Sequence, residues 1–135
     1  MSDTLGILGF YFTLIGFISG IFFTRLDSWY NDVRAKTAIV NSSNNANKLI
    51  SLREDLTGLA SSEPTFSFGA VGIFLSALVV LSFFVPAGTS AVNTTLFLYI
   101  PLVVTVVAYW ISGFALLLRA RAMLSEAAQI IKNKT

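Results

Sequence analysis

The stretch GFYFTLIGFISG, residues 9–20, contains no charged side chain, and its small residues recur at helical spacing. The small positions are separated by four, three and four residues: Gly9, Thr13, Gly16 and Gly20. At about 100° per residue, they fall within an arc of about 60° on one face of a helix. An apolar helix with such a narrow face of small side chains is typical of a membrane helix that packs closely against another helix.

The distribution of charge extends this interpretation to the whole chain. Hydrophobic residues make up 55% of its 135 residues and charged residues 12%, whereas a soluble domain carries about 25% charged residues. Residues 4–24 and 66–118 contain no Asp, Glu, Lys or Arg, so the charges lie at Asp3, in 25–63 and after residue 118. This partition predicts an integral membrane protein.

Three apolar stretches are long enough to cross a bilayer, which takes about 20 residues in a helix. They predict transmembrane helices over 5–24, 66–85 and 96–118, the second of them ended by Pro86. We expect the first to be a retained span, because no Lys or Arg precedes it and no A-x-A-like cleavage site follows it.

The basic residues that flank the spans predict the orientation. They lie only in the 25–65 loop and in the C-terminal tail: Arg25, Arg34, Lys36, Lys48, Arg53, Arg119, Arg121, Lys132 and Lys134. Because Lys and Arg are enriched on the cytoplasmic side, this pattern predicts an N-terminus outside, residues 25–65 inside, 87–94 outside and the C-terminus inside.

The loop between the first two spans shows helical periodicity of its own. Its leucines step by three, four and three positions and predict a buried seam: Leu49, Leu52, Leu56 and Leu59. The polar run 41–45 interrupts the preceding pattern and offers helix-capping side chains. We therefore expect an amphipathic helical hairpin over 26–62, and a third span that continues as an inner helix to about residue 131. The predicted fold class is an all-α integral membrane protein, with three transmembrane helices plus this cytoplasmic-side hairpin between helices 1 and 2.

Small residues also recur along the second and third spans, where they extend the predicted helix-packing faces. These positions are Gly69, Gly72 and Ser76 in the second span, and Thr105, Ala108, Ser112 and Ala115 in the third. The spacing leaves three uses open, namely packing within one chain, packing between chains, and lining a pore.

The aromatic and basic residues near the spans have two expected roles. The polar tips of Tyr109 and Trp110, in the middle of the third span, need partners such as Thr13, Ser19 or Ser76. Four residues beside the spans are predicted to anchor at lipid headgroups: Arg25, Trp29, Arg119 and Arg121.

The composition argues against most catalytic chemistry. The chain has no Cys and no His, so it offers no thiolate or imidazole for a metal, a haem or nucleophilic catalysis. The spans carry no ionisable side chain of the kind that marks proton or ion pathways. A net charge of +2 with scattered basic residues does not predict nucleic-acid binding. We expect no enzyme activity, no cofactor and no metal.

The topological layout resembles that of the YidC-like insertases and their archaeal relatives, which share an outside N-terminus, an inner helical hairpin and two closely spaced later spans. That resemblance implies a membrane chaperone. Those proteins also carry a basic residue in a membrane groove and a Met-rich inner loop, whereas the methionines here are Met1 and Met123. The charge layout is also similar to that of three-span phage holins, whose inner loop is shorter.

The pattern as a whole predicts a non-enzymatic structural or accessory subunit of a larger membrane assembly, in a cell membrane or a viral envelope. Its expected partners are the lipid bilayer and other membrane subunits or copies of itself. The alternatives are a homo-oligomeric pore, holin-like or an effector channel, and an insertase-like chaperone.

Overall fold

The computed structural model describes residues 2–84 and 92–135 of the chain, with side chains described over 6–84 and 99–135. Within those residues the chain is helical and contains no strand. The helices are α1 (Ser2–Ser42), α2 (Ala46–Ser61), α3 (Thr65–Ser82) and α4 (Val92–Lys134). Pro86 and the predicted outer loop over 87–94 lie largely outside the described residues.

Three helical stretches are long and apolar enough to cross a membrane, judged by length and composition. They lie in Gly6–Ser42, Ala46–Ser82 and Tyr99–Lys134, where the most apolar 18-residue windows have mean hydropathies of 2.0, 2.0 and 2.1. The prediction of a helical chain with three stretches able to span a membrane is therefore confirmed.

The helices divide into two compact units. Unit 1 comprises Met1–Phe23 and Ser67–Ser112, and unit 2 comprises Thr24–Phe66 and Gly113–Thr135. The long helices α1 and α4 contribute to both units. Each unit has its own buried residues and is described separately.

Unit 1 is built from the N-terminal part of α1, most of α3 and the N-terminal part of α4. Each helix buries one line of side chains. These lines are Leu8, Ile15 and Ser19 of α1, Phe68, Gly72, Leu75, Leu78, Val79 and Ser82 of α3, and Tyr99, Leu102, Val106 and Tyr109 of α4. Large apolar side chains cover the outer surface; Phe10 and Phe17 are each 65% exposed and Ile73 is 67% exposed. Such a surface is expected of a unit whose solvent is lipid.

Unit 2 is built from the C-terminal part of α1, all of α2 and the C-terminal part of α4. Its core cluster joins side chains of all three helices: Val40, Leu49, Leu52, Leu56, Ala127 and Ile131. Leu59, Leu124 and Ile130 pack against that cluster and are partly buried. Here polar residues cover the outer surface, so burial of the leucines removes apolar area from water.

Polar side chains mark the junction between α1 and α2. Asn45 is the N-cap of α2, and its side-chain oxygen accepts a hydrogen bond of 3.1 Å from the backbone N–H of Asn47. The capping role predicted for the polar run is therefore confirmed. Lys134 Nζ, at the end of α4, donates to the carbonyl oxygens of Ser43 (3.0 Å) and Val40 (3.5 Å).

Two ion pairs lie near the surface of unit 2, one between two helices and one between α4 and the segment that joins α2 to α3. Lys36 of α1 lies 3.1 Å from Asp55 of α2. Arg121 of α4 lies 2.7 Å from Glu63, and it also donates to the Thr65 hydroxyl at 3.3 Å. These contacts are partly exposed, so each contributes little to the free energy of unfolding.

Candidate functional site

Aromatic side chains of α4 join α4 to α3 within unit 1. The Tyr109 hydroxyl donates to the carbonyl oxygen of Phe68 at 3.1 Å, and its ring stacks on the Phe68 ring with centroids 5.0 Å apart. The Tyr99 hydroxyl donates to the carbonyl oxygen of Ser82 at 2.7 Å. Both phenols therefore have acceptors inside the protein, as polar groups in an apolar environment require.

Trp110 lies against the small-residue face of α3. Its indole N–H donates to the Ser76 hydroxyl at 3.3 Å, and that hydroxyl donates to the Gly72 carbonyl at 2.8 Å. An ideal Cβ placed on Gly72 would lie 2.6 and 2.8 Å from two atoms of the Trp110 ring. Gly72 is thus required for the close approach of Trp110. Ser76, one of the predicted partners, is the acceptor for Trp110, whereas Tyr109 bonds to a backbone carbonyl instead.

The small residues of α1 are exposed, in contrast to the small-residue face of α3, which contacts Trp110. Gly9, Thr13, Gly16 and Gly20 are all exposed, and no heavy atom of a neighbouring element lies within 4 Å of a Cβ built on any of the three glycines. The line that α1 buries in unit 1, through Leu8 and Ile15, lies about 110° around the helix from the glycines. We name these four residues the α1 glycine face. Within the described part of the chain, no other helix packs closely against Gly9 or Gly16.

One edge of the α1 glycine face meets the small residues of α4 in an open groove. The groove between α1 and α4 in unit 1 has a volume of about 290 Å³. Its lining includes Gly20 and three of the small residues predicted for the third span, Thr105, Ala108 and Ser112. Of the other predicted packing residues, Ala115 is exposed and Gly69 is partly buried with nothing within 4 Å of an added Cβ.

The hydroxyl groups on these faces bond to their own helices. Thr13 donates to the Gly9 carbonyl at 2.9 Å, Ser19 to the Gly16 carbonyl at 3.1 Å and Thr105 to the Pro101 carbonyl at 2.7 Å. Each hydroxyl proton is therefore satisfied without water, which suits a surface that faces lipid or another helix.

The residues predicted to anchor at headgroups have different surroundings. Trp29 is buried, and its indole N–H donates to the Leu59 carbonyl at 3.1 Å, so this side chain is held within unit 2. Arg121 is paired with Glu63, whereas Arg25 and Arg119 are exposed. The predicted seam residues Leu49, Leu52 and Leu56 lie in the core cluster, with Leu59 packed beside it.

Sequence reasoning missed two features of the helix contacts. The buried line of α4 passes through Tyr99, Leu102, Val106 and Tyr109 at steps of three, four and three residues, a heptad pattern that was readable in the sequence. The contact of Lys134 with the Ser43 carbonyl could not be predicted from the sequence, because these two residues are more than 90 positions apart.

The arrangement offers surfaces for helix packing. In the described part of the chain, no three His, Cys, Asp or Glu side chains come together as metal ligands would. The sequence matches no protein-family model, and comparison with curated proteins and with solved structures finds no significant match either.

Proposed function

We propose that this chain is a non-enzymatic subunit of a larger membrane assembly and that the α1 glycine face is its contact with a neighbouring helix. The observation that carries the proposal is the open space beside that face. Gly9 and Gly16 have nothing within 4 Å of an added Cβ. In lipid, helices associate through close packing at small residues, since burying leucine gains little. Because no side chain of another helix lies close to Gly9 or Gly16, their side of α1 is suited to contact with a second chain or another subunit.

The proposal includes an orientation in the membrane. Residues 5–24, 66–85 and 96–118 cross the bilayer, the N-terminus lies outside, and residues 25–65 and the C-terminus lie on the cytoplasmic side as an inner helical region. Support comes from the charge distribution, because every Asp, Glu, Lys and Arg other than Asp3 belongs to unit 2. All nine basic residues flank the spans on the side assigned to the cytoplasm.

Substitution of Gly16 tests the assembly. An isoleucine at Gly16 should hold a partner helix away and leave the chain itself folded, because the site is open within the chain. We expect the detergent-extracted native complex to be heavier than the 14.6 kDa chain, and Gly16→Ile to reduce it towards the mass of the chain alone.

The matched control is Ile21→Phe, since Ile21 is 48% exposed and lies about 110° around the helix from the centre of the glycine face, on the side opposite the buried line. It should leave the mass of the complex unchanged. A wild-type protein that is extracted as a single chain, or a complex unaffected by Gly16→Ile, would show that the glycine face contacts lipid only.

The alternative function is a pore lined by the Ser and Thr hydroxyl groups of the spans, and the purified chain can be used to test it. The hydroxyls of Thr13, Ser19 and Thr105 donate to carbonyls of their own helix, which does not favour a water-filled lining. We therefore expect liposomes containing the chain alone to retain a trapped dye, and rapid leakage would replace the subunit proposal with the pore.

A further inference from the structure

A second groove lies in unit 2, between α2 and α4. Its volume is about 660 Å³. The buried side chains of Leu56 and Ile131 form part of its floor, and the exposed small residues Ala60 and Ala128 line its sides. Because alanines occupy the sides, a helix backbone can come close to the floor. We call this space the α2/α4 groove.

The α2/α4 groove is positively charged. Arg53 and Lys132 line it, and no Asp or Glu is among its lining residues. Neither side chain forms an ion pair within the described residues, in contrast to Lys36 and Arg121. The groove therefore combines an apolar floor with two cations that form no ion pair within the described residues.

The neighbouring groove between α1 and α2 has the opposite character. Its lining holds one lysine, Lys36, against three carboxylates, Asp32, Glu54 and Asp55, and Lys36 is paired with Asp55. The charge of the α2/α4 groove is therefore a local property of that face of unit 2.

We propose that the α2/α4 groove binds an amphipathic helix of a partner protein, one that carries Asp or Glu beside its apolar face. The apolar side chains of such a helix, at steps of three and four, fit over Leu56 and Ile131. Its carboxylates then lie opposite Arg53 and Lys132, which selects an acidic partner over a basic one.

The position of the groove along α4 favours a protein helix over a membrane lipid. Leu124 and Lys132, which both line the groove, lie six and fourteen residues beyond Leu118, the last residue of the predicted third span. These intervals correspond to about 9 and 21 Å of helix rise. Most of the groove is therefore beyond the reach of a lipid seated in the bilayer.

This inference goes beyond the proposed membrane assembly; it rests on the proposed end of the third span at Leu118 but does not use the α1 glycine face. Failure of the groove experiment leaves the mass of the complex and the effect of Gly16→Ile untouched, so the two proposals can fail separately.

The test uses the whole chain in nanodiscs of zwitterionic lipid, with one chain per disc. Because the sequence has no Cys, Thr57→Cys gives a single attachment site for an environment-sensitive fluorophore in the groove. Ala35→Cys places the same fluorophore in the α1/α2 groove as the matched control. The probes are two synthetic helical peptides of about 14 residues, roughly four turns, with identical leucine positions flanked by Glu in one and by Lys in the other. Discs without the chain measure how much of each peptide binds to the lipid itself.

We expect a saturable response at Thr57→Cys, with the Glu peptide binding at least about tenfold more tightly than the Lys peptide, and no such preference at Ala35→Cys. Arg53→Glu combined with Lys132→Glu should reverse the preference, and Arg53→Gln with Lys132→Gln should abolish it. Three results would overturn the proposal. The first is equal binding of both peptides, and the second is displacement of the Glu peptide by oleate at the same concentration as by unlabelled peptide. The third is formation of disulfide-linked dimers when the unlabelled Thr57→Cys protein is oxidised in detergent without peptide. The last two would assign the groove to an acyl anion or to a second copy of the chain.

Discussion

At the scale of single residues, Gly72 shows what a small side chain does inside unit 1. The Trp110 ring occupies the space where a Cβ would be, and it is held there by its hydrogen bond to Ser76 and by an edge contact with Phe68, whose ring centroid is 5.3 Å away. The ring is therefore fixed from two sides and has little freedom to move away.

Gly72→Ala should therefore destabilise the chain. The added methyl group would overlap the Trp110 ring, and overpacking of this kind costs about 1–3 kcal/mol. We expect a lower melting temperature of the detergent-solubilised protein. Gly69→Ala is the control on the same helix, because nothing lies within 4 Å of its added Cβ. A Gly72→Ala protein that melts at or above the wild-type temperature would show that Trp110 is not held in this position.

Lys134 illustrates a residue-scale contact of another kind. Its ammonium group lies at the C-terminal end of α1, where it donates to the carbonyls of Val40 and Ser43. A cation at this end of a helix stabilises the unpaired carbonyls and opposes the negative pole of the helix dipole.

Lys134→Met should remove about 0.3–1 kcal/mol of stability. The effect should shrink at high salt, since the interaction is electrostatic and partly exposed. Lys48→Met is the control, because Lys48 is exposed at the start of α2 and carries the same charge. Equal melting temperatures of the two variants at low salt would exclude a capping role for Lys134.

At the scale of helices, the sequence predicted some faces well and others poorly, for a physical reason. In α2 the periodic leucines lie among polar residues, so the pattern alone identifies Leu49, Leu52 and Leu56 as buried. In α1 almost every residue of the span is apolar, and the pattern cannot distinguish the line through Leu8 and Ile15, which is buried, from Phe10, which is exposed. Hydrophobicity carries no inside-outside information when lipid is the solvent.

The small residues of the spans show the same limit. Their spacing identified Gly72 and Ser76, which contact Trp110. It did not indicate that Gly16 would be open within the chain while Ser19, one turn away, is buried. A face of small residues makes a helix contact within the chain only where a bulky side chain such as Trp110 lies opposite it. The position of that side chain depends on how the helices pack together.

The predicted seam of α2 can be tested as an element. Leu56 is 6% exposed and belongs to the core cluster of unit 2. Leu56→Ala should cost about 2–5 kcal/mol, the range for a leucine deleted from a packed core. Ile50→Ala on the opposite face is the control, because Ile50 is 53% exposed. We expect faster proteolysis within residues 43–64 for Leu56→Ala only. Equal protease resistance of the two variants would show that the seam is not a core.

At the scale of the whole molecule, charge and exposed apolar surface are separated between the two units. Unit 1 carries Asp3 as its one charged residue in the sequence, and its exposed surface includes Phe10, Phe17, Ile73 and Ile111. Unit 2 carries the remaining charged residues and both ion pairs described above. This separation is what we expect if unit 1 faces lipid and unit 2 faces water, as the proposed orientation requires.

The proposed orientation can be tested by cysteine labelling, because the sequence has no Cys of its own. Asn44 is an exposed residue of the junction between α1 and α2 and is the better inside probe. Ser43 beside it is buried and bonded to Lys134, so a cysteine there would be protected by the fold on either side of the membrane. Ser90 lies outside the described residues and is chosen from the sequence, as the middle of the uncharged segment 87–94.

A membrane-impermeant maleimide added to intact cells should label Ser90→Cys and leave Asn44→Cys unlabelled until the membrane is permeabilised. In the proposed orientation, the cost of moving Lys and Arg across the bilayer holds the basic flanks of all three spans on the cytoplasmic side. Asn133→Cys, exposed near the C-terminus, must behave like Asn44→Cys, because two spans separate them and an even number of crossings returns the chain to the same side. Labelling of Asn44→Cys and Asn133→Cys in intact cells with Ser90→Cys protected would invert the orientation. Disagreement between Asn44→Cys and Asn133→Cys would mean that one of α3 and α4 does not cross, and that the chain has fewer than three spans.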